Sequence, residues 1–297
     1  MSVRLTTAGL AAAVIAELVL AAPAMAGTLT YQDGVLRYRD QPGHGGTVGI
    51  EGVRPAKADG TPGRLRGSAS APLATGPGCR AEPSDALGGV DDFLCVLTAP
   101  GLPRYRLSLG DSDDSAYITG DRPLHGVVYS GPGSDRVDGG AWRVYGGRGD
   151  DSLYGQRVYG GPGNDRLRSG DLSYDRLRSV LRGGKGNDHV DVYPGPGWGY
   201  GGPGNDDLLP SRRRDMLVGG PGFDEIVFLS DTDDTSADTF RLRDGRPDYV
   251  ECPENGDRKD VFFADRSDVF NNAFSDVLNN RCGDSSVLFS ARPRILK

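Results

Sequence analysis

The central part of the sequence repeats one nine-residue pattern seven times, and this repeat limits the folds that the chain can adopt. Between Leu107 and Ile226, an apolar or small residue is followed seven positions later by Asp and nine positions later by a second apolar residue. The spacing between successive nonapeptides varies from 5 to 14 residues, whereas the spacing inside them is constant. A fixed internal period is typical of stacked supersecondary units. The pattern therefore predicts a solenoid with two reversing edges, of which one is held to a constant geometry by a ligand.

The apolar positions of the repeat predict two inward-facing columns. The upstream column is expected to contain Leu107, Val128, Val144, Val158, Leu181, Gly199 and Leu217. The downstream column is expected to contain Ala116, Val137, Leu153, Leu167, Val190, Leu208 and Ile226. Parallel strands stack about 4.8 Å apart, so such columns would form a narrow, dry core. Gly199 is expected to leave a gap in its column.

The composition favours an ordered acidic protein over a flexible linker or a nucleic-acid binder. Of 41 acidic residues, 35 are Asp and 6 are Glu. Asp is common in turns and in oxygen-ligand metal sites, whereas Glu is the better helix former. The formal net charge of −7 argues against a nucleic-acid partner. The 46 glycines do not indicate a linker, because a linker has no reason to keep a nine-residue phase.

The first 26 residues are typical of a secretory signal. Arg4 precedes the apolar run "LAAAVIAELVLAA", and Ala24-Met25-Ala26 fits a small-x-small cleavage site. A membrane anchor is the less favoured alternative, because a spanning helix needs about 20 apolar residues. We therefore expect a secreted, extracellular protein with no membrane span once the signal is removed.

The four cysteines flank the repeat region in two pairs. Cys79 and Cys95 precede it, and Cys252 and Cys282 follow it. Three pairings are possible, of which we favour the two local ones, because each would staple a segment too small to be held by its own core.

Several nonapeptides resemble those of a known family. The segments "GGPGNDRLR" (160–168), "GGKGNDHVD" (183–191) and "GGPGNDDLL" (201–209) are similar to the G-G-x-G-x-D-x-U-x repeat of repeats-in-toxin (RTX) proteins. "GGRGDDSLY" (146–154) and "GGPGFDEIV" (219–227) also fit, "SGPGSDRVD" (130–138) departs at its first glycine, and "LGDSDDSAY" (109–117) keeps little beyond Asp114. The resemblance implies an all-β fold, a right-handed parallel β-roll or β-helix solenoid, that binds Ca²⁺.

Calcium suits the chemistry of these turns. Ca²⁺ takes six to eight oxygen ligands, which backbone carbonyls and one Asp from each of two neighbouring coils could supply. Mg²⁺ is less suited, and soft metals want Cys or His ligands, whereas His44, His125 and His189 form no cluster. The expected metal-binding residues are Asp135, Asp151, Asp165, Asp188, Asp206 and Asp224, with the turn glycines Gly133, Gly149, Gly163, Gly186, Gly204 and Gly222. Asp114 is a weaker candidate, and Asp175 and Asp215 are interpreted as relics of half-repeats, either in surface loops or as additional ligands.

The predicted domains are a signal (1–26), an N-terminal β cap (27–106), the calcium-binding β-roll (107–228) and a C-terminal cap (229–297). Both caps are expected to be clipped by disulfides. Asp33-Gly34 predicts a hairpin turn in the first cap, and residues 41–52 and 55–78 are interpreted as loops. Residues 270–280 are expected to form a short amphipathic helix in the second cap.

The sequence favours a binding protein over an enzyme. It contains no H-E-x-x-H or G-x-S-x-G motif. The favoured function is a secreted protein in which Ca²⁺ folds and rigidifies the roll. The main alternative is a calcium-stiffened adhesion module that binds a cell-wall glycan or a surface protein through the aromatic residues Tyr145, Tyr154, Tyr159, Trp198 and Tyr200. A polysaccharide-acting enzyme is a third, weaker possibility.

Overall fold

The computed structural model describes residues 27–70, 73–82, 91–119, 124–170, 178–228, 236–251, 260–271 and 286–289. These residues form β-strands and connecting turns, and no helix occurs among them. The strands are β1 (Gly27–Gln32), β2 (Val35–Asp40), β3 (Thr47–Arg54), β4 (Gly63–Ala69), β5 (Leu73–Thr75), β6 (Cys79–Glu82), β7 (Asp91–Leu97), β8 (Arg104–Ser108), β9 (Ser115–Ile118), β10 (Gly126–Pro132), β11 (Arg136–Arg148), β12 (Ser152–Pro162), β13 (Arg166–Ser169), β14 (Ser179–Lys185), β15 (His189–Asp191), β16 (Gly197–Tyr200), β17 (Asp207–Leu209), β18 (Met216–Val218), β19 (Glu225–Val227), β20 (Thr239–Arg241), β21 (Tyr249–Glu251), β22 (Val261–Ala264), β23 (Val269–Asn271) and β24 (Ser286–Phe289).

The strands form two faces, each made of parallel strands, as in a flattened β-roll. What we name the first face contains β2, β8, β10, the C-terminal halves of β11 and β12, and then β14, β16, β18, β20, β22 and β24. The second face contains β3, β9, the N-terminal halves of β11 and β12, and then β13, β15, β17, β19, β21 and β23. Each coil thus contributes one strand to each face, and the all-β roll predicted from the sequence is confirmed.

The predicted core register is also confirmed. On the first face, the Cα partners follow the upstream column without a shift from Leu107 to Leu217. On the second face they follow the downstream column from Ala116 to Ile226. The side chains of both columns are almost fully buried. A fully buried Leu or Ile contributes about 1.5–3 kcal/mol to stability. The stability of the core is therefore the sum of many small contributions along the axis of the roll.

Gly199 does not leave the gap that the sequence predicts. A Cβ atom at Gly199 would lie 2.6 Å from Cδ2 of Leu217 and 3.2 Å from Cγ1 of Val190. The side chains of the neighbouring coil and of the opposite face therefore already fill this position. Glycine is the residue that fits here because there is no room for a larger one.

The coil stacking continues beyond residue 228, where the sequence predicts that the C-terminal cap begins. Phe240 and Phe262 extend the upstream column from Leu217. Val250 and Phe270 extend the downstream column from Ile226. The rings of Phe240 and Phe262 stack at 4.6 Å between centroids, so larger side chains fill the core at this end.

The N-terminal segment joins the roll directly. The hairpin of β1 and β2 turns at Asp33 and Gly34, both with positive φ, as the sequence predicts. β2 and β3 pair in parallel with β8 and β9, so they cover the edge that the first coil would otherwise expose. β6 and β7 are joined by the predicted Cys79–Cys95 disulfide.

The interpretation of residues 41–52 and 55–78 as loops is wrong in part. β3 begins in the first range, and β4 and β5 lie in the second. β4 pairs with both β3 and β7, and its glycines allow close packing: a Cβ at Gly67 would overlap the Gly49 carbonyl and the Phe93 ring. These glycines indicate a tight approach between strands, which the sequence alone does not distinguish from a loop.

Some predictions fall on residues outside the described ranges. They concern the signal at residues 1–26, Cys252 and Cys282, Asp175, and the helix at 270–280, of which only the first two residues are described, at the end of β23. Over the described ranges, the chain contains no helix with the length and apolar character of a membrane span.

Candidate metal-binding edge

One edge of the roll carries a continuous row of buried aspartates, which we name the aspartate file. It comprises Asp114, Asp135, Asp151, Asp165, Asp188, Asp206, Asp224, Asp248 and Asp268. From Asp114 onward, the backbone N–H of each member donates to Oδ1 of the next one, at 2.8 to 3.2 Å. Gly46 N–H donates to Asp114 Oδ1 at 2.7 Å, which starts the row. The structure thus places all six aspartates of the predicted metal site in one row along the edge.

The second carboxylate oxygen has no such donor along most of this row. Oδ2 is buried and makes no hydrogen bond among the described residues in Asp114, Asp135, Asp151, Asp165, Asp188, Asp206, Asp224 and Asp248. At most 3% of any of these residues is exposed. Leaving a buried polar atom without a partner costs about 1–3 kcal/mol, and more for a charged group. A row of such atoms therefore calls for a counter-charge inside the turns.

Burial raises the pKa of every carboxyl group in the file. The pKa of Asp188 rises to about 7 because burial disfavours its charged form, with a smaller contribution from the neighbouring Asp165 and Asp206. The pKa of Asp224 rises to about 8 from burial and from the charges of Asp248 and Asp206. The backbone N–H bond to Oδ1 acts in the opposite direction and lowers each pKa. The fold therefore gathers carboxylates in a place that disfavours their charge.

The first glycine of each turn makes room for the carboxylate. A Cβ at Gly160 would overlap Oδ2 of Asp165 and lie 2.7 Å from the carbonyl oxygen of Gly183 in the next coil. A Cβ at Gly146 would overlap Asp151 Oδ2 and lie 2.7 Å from the Gly160 carbonyl oxygen. In both places a carboxylate oxygen and a carbonyl oxygen of the neighbouring coil converge beside a bare α-carbon.

The predicted turn glycines fall into two groups. Gly133, Gly149, Gly163, Gly186 and Gly204 have φ between +122° and +150°, a region that side-chain-bearing residues rarely adopt. Gly222 is not among the positive-φ glycines, and its N–H donates to Oδ2 of Asp244 at 2.9 Å. The last regular turn therefore differs in backbone from the others.

This donor set fits a hard cation held mainly by backbone oxygens. Within the described residues, no three His, Cys, Asp or Glu side chains form a group that could hold a metal by themselves. A site at this edge must therefore combine Asp oxygens with turn carbonyls, whose second lone pair is still available when the first accepts an N–H bond. Calcium accepts such all-oxygen sets, including carbonyls, whereas soft transition metals prefer nitrogen and sulfur.

A second row of side chains, which the sequence interpretation missed, supports the outside of the same turns. The side-chain oxygens of Asn164, Asn187 and Asn205 each accept the backbone N–H of the equivalent residue in the next coil, at 2.7 to 3.0 Å. Asp150 starts this row by accepting from Asn164 N–H at 2.7 Å. The signal was present in the repeated Gly-Asn-Asp tripeptide. These side chains fix the spacing of the coils beside the aspartate file.

Asp248 and Asp268 were missed because they break the strict phase. Asp248 follows Phe240 by eight residues and Asp268 follows Phe262 by six, instead of the usual seven. Both are nevertheless followed two residues later by a core residue, Val250 and Phe270, as in the regular repeat. The spacing of two residues between Asp and the following core residue, taken without the upstream half of the motif, could have identified them.

The opposite edge carries a shorter row that includes Asp215. Gly197 N–H donates to Asp215 Oδ1 at 2.6 Å, Asp215 N–H donates to Asp238 Oδ1 at 2.8 Å, and Asp238 N–H donates to Asp260 Oδ1 at 2.9 Å. Asp215 is only 2% exposed, so its assignment to a surface loop is wrong. Its Oδ2 accepts the Ser211 N–H at 2.6 Å, which makes it a structural acceptor for its own turn.

Comparison with known families agrees with the geometry of the aspartate file. The HemolysinCabind model, described as the RTX calcium-binding nonapeptide repeat (4 copies), matches residues 143–167 and 157–171. A search of curated protein sequences finds no match. RTX repeats bind calcium in general, and the matched residues contribute Asp151 and Asp165 to the file. The match therefore supports an RTX-type calcium-binding repeat over residues 143–171 of this chain.

Proposed function

We propose that this chain is a secreted calcium-binding protein in which Ca²⁺ ions between successive coils fold and rigidify the β-roll. The residues that would hold them are the six predicted aspartates of the file, Asp135 to Asp224, together with carbonyl oxygens of the glycine turns. The observation that carries the proposal is the row of buried Oδ2 atoms that have no donor in the part of the chain that the structure describes. When bound, calcium would supply the positive charge that this row lacks.

Electrostatics favours coupling between binding and folding. Carboxylates in adjacent coils, about 5 Å apart, repel by about 3 kcal/mol at an effective dielectric constant of 20. The strands of the regular coils are short, such as the three residues of β15 or β17, so few other contacts oppose this repulsion. Binding free energy then becomes folding free energy. Extracellular calcium modules have dissociation constants of about 10⁻⁴–10⁻³ M, which is the range we expect here.

Three features support secretion and a binding role. Residues 1–26 have the pattern of a secretory signal, and RTX repeat proteins are typically secreted. The Cys79–Cys95 disulfide is consistent with an oxidising compartment. RTX β-rolls are generally non-enzymatic, and we assign no catalytic residue.

The test is a calcium titration of the mature chain and of two matched variants, followed by circular dichroism and calorimetry. Asp206→Asn keeps an oxygen that can accept the Asp188 N–H bond but removes the buried charge. Asp207→Asn makes the same change one residue away, at an exposed position on the second face. We expect Asp206→Asn to weaken calcium binding at the adjacent turns by about tenfold or more, since affinity follows the charge of the ligand set. Asp207→Asn should bind like the parent chain.

Magnesium and chelator provide the remaining controls. Mg²⁺ should induce little β structure at equal concentration, because it demands a smaller octahedral site and dehydrates reluctantly. Identical calcium isotherms for the two Asn variants would overturn the assignment of the file as the binding site. Equal β content in chelator and in calcium would overturn the coupling of binding to folding.

A further inference from the structure

The outward positions of the first face form two columns that are rich in arginine. Arg106, Val127, Arg143 and Arg157 lie in register on consecutive strands in one column. The neighbouring column runs through Tyr129, Tyr145, Tyr159, Arg182 and Tyr200. All outward positions from Arg37 to Val261 and from Arg39 to Phe263 are described, and none of them is Asp or Glu. This is unexpected in a chain with a net charge of −7.

The second face is built differently. Its outward positions mix both signs of charge, and Arg136 and Arg168 pair with Asp138 and Asp191 at 2.7 and 3.4 Å. On the first face, arginines lie against rings instead. Cζ of Arg106 is 5.0 Å from the centre of Tyr129 and Cζ of Arg182 is 4.5 Å from that of Tyr200. None of the ion pairs among the described residues includes an arginine of the two first-face columns.

The tyrosines form an ordered stack along the axis. The rings of Tyr129 and Tyr145 are 5.2 Å apart with planes 8° from parallel, and those of Tyr145 and Tyr159 are 4.9 Å apart at 11°. Neighbouring rings therefore cover each other's faces and leave their edges to a ligand. Of the aromatics expected to form a binding row, Tyr145, Tyr159, Tyr200 and Trp198 lie on this face, whereas Tyr154 lies on the second face.

We propose that the first face binds a linear anionic polysaccharide, a polyuronate in chemical class, laid along the axis of the roll. Guanidinium groups recognise carboxylates through paired N–H donors, and here no carboxylate of the same face competes for them. Arg143 and Arg157 are direct partners in adjacent coils, so these two cations lie at the strand spacing of about 4.8 Å. That interval is close to the length of one hexose unit in an extended chain. Tyrosine hydroxyls can both donate to and accept from sugar hydroxyls.

Other polyanions fit this face less well. Single-stranded nucleic acids bind by stacking bases on exposed ring faces, and the rings of Tyr129, Tyr145 and Tyr159 already stack on one another. A membrane surface requires several apolar side chains that can insert, whereas Tyr145, Tyr159 and Tyr200 are half-buried between coils, and Tyr129 and Trp198 are exposed. A nucleic acid and an anionic membrane are therefore included as comparison ligands in the test.

The experiment measures binding of the folded mature chain to polygalacturonate by calorimetry. The comparison ligands are its fully methyl-esterified form, a neutral linear glucan, a single-stranded DNA, and vesicles that contain an anionic phospholipid. We expect binding to polygalacturonate that weakens with added salt, and little binding to the esterified or neutral chains, because both lack the carboxylates. Folding is verified by circular dichroism in the same calcium-saturated buffer with each polymer present, which distinguishes loss of binding from loss of the fold.

Two double variants test whether binding depends on the arginines of this face or only on the total charge of the protein. Arg143→Gln with Arg157→Gln removes two cations of the first face, and Arg213→Gln with Arg214→Gln removes two exposed cations from a turn. We expect the first pair to lower affinity for polygalacturonate about tenfold and the second to change it little. Equal loss in both variants, or equal binding of the esterified polymer, would overturn the proposal. Tighter binding to DNA or to vesicles than to polygalacturonate would overturn it as well.

Discussion

At the scale of single residues, the candidate site depends on glycine for two separate reasons. In the regular turns up to Gly204, the second glycine of the pair that opens the turn and the glycine two positions later adopt positive φ, which turns the backbone sharply at the edge. The same residues also lie against the carbonyl of the preceding coil, as Gly204 does against Gly186. A side chain would therefore be strained and would also separate the coils.

Replacement of Gly204 by Ala tests both effects together. Gly204 has φ of +149° and its Cβ would overlap the Gly186 carbonyl oxygen, whereas Gly245 has φ of +87° with open space around it. We expect Gly245→Ala to lower the free energy of unfolding by about 1 kcal/mol, from backbone strain alone. Gly204→Ala should lower it by a further 1–3 kcal/mol, roughly, and should also weaken calcium binding. Equal losses in chemical denaturation would mean that coil contact at this turn is unimportant.

At the scale of strands, the sequence predicted the regular coils well because one rule governs each of them. The inward positions, the turn glycines and the aspartates all recur at one phase, so any coil confirms the others. The predicted repeat ended at Ile226 because the spacings from Phe240 to Asp248 and from Phe262 to Asp268 each differ by one residue from the regular spacing of seven. The sequence did not predict strands β3 and β4, because their glycines allow close packing against strands that are distant in the chain.

The interpretation of Gly199 as a gap failed for a related reason. Sequence alone gives the column but not the volume that neighbouring columns contribute, and here Leu217 and Val190 occupy the space. The arginine-rich face was also missed, because its residues come from ten strands and become neighbours only through the register.

Gly199→Ala distinguishes a gap from a filled position. A gap would be improved by an added methyl group, whereas the structure predicts overpacking against Cδ2 of Leu217 at a cost of about 1–3 kcal/mol. Adding Leu217→Val, which shortens the opposing side chain, should recover part of that loss. Thermal denaturation of the single and double variants measures both effects. A rise in melting temperature for Gly199→Ala alone would contradict the packing described here.

At the scale of the whole molecule, the roll concentrates protonatable carboxyls along one edge. Burial raises the pKa of Asp114, Asp151 and Asp188 to about 7 and that of Asp224 to about 8, from an ordinary value of 3.8. The metal-free folded state therefore holds protons that the unfolded chain has already released. The stability that this proton binding contributes is fully present below the ordinary aspartate pKa. It is lost as the pH rises through the pKa values of the folded state.

This linkage predicts opposite pH dependences with and without calcium. In chelator, the free energy of unfolding should fall between about pH 5 and about pH 8, because the folded state binds more protons than the unfolded state. In saturating calcium it should rise over the same interval, because the metal binds only the deprotonated carboxylates and must displace their protons at low pH. Circular dichroism of the folded fraction in chelator and urea denaturation in saturating calcium, both across this interval, measure the two slopes. Asp224→Asn, which removes the group with the highest pKa in the file, should flatten both of them. A chelated protein that gains stability with rising pH would show that the file is not a buried, proton-holding edge, and the electrostatic reason for calcium would then be lost.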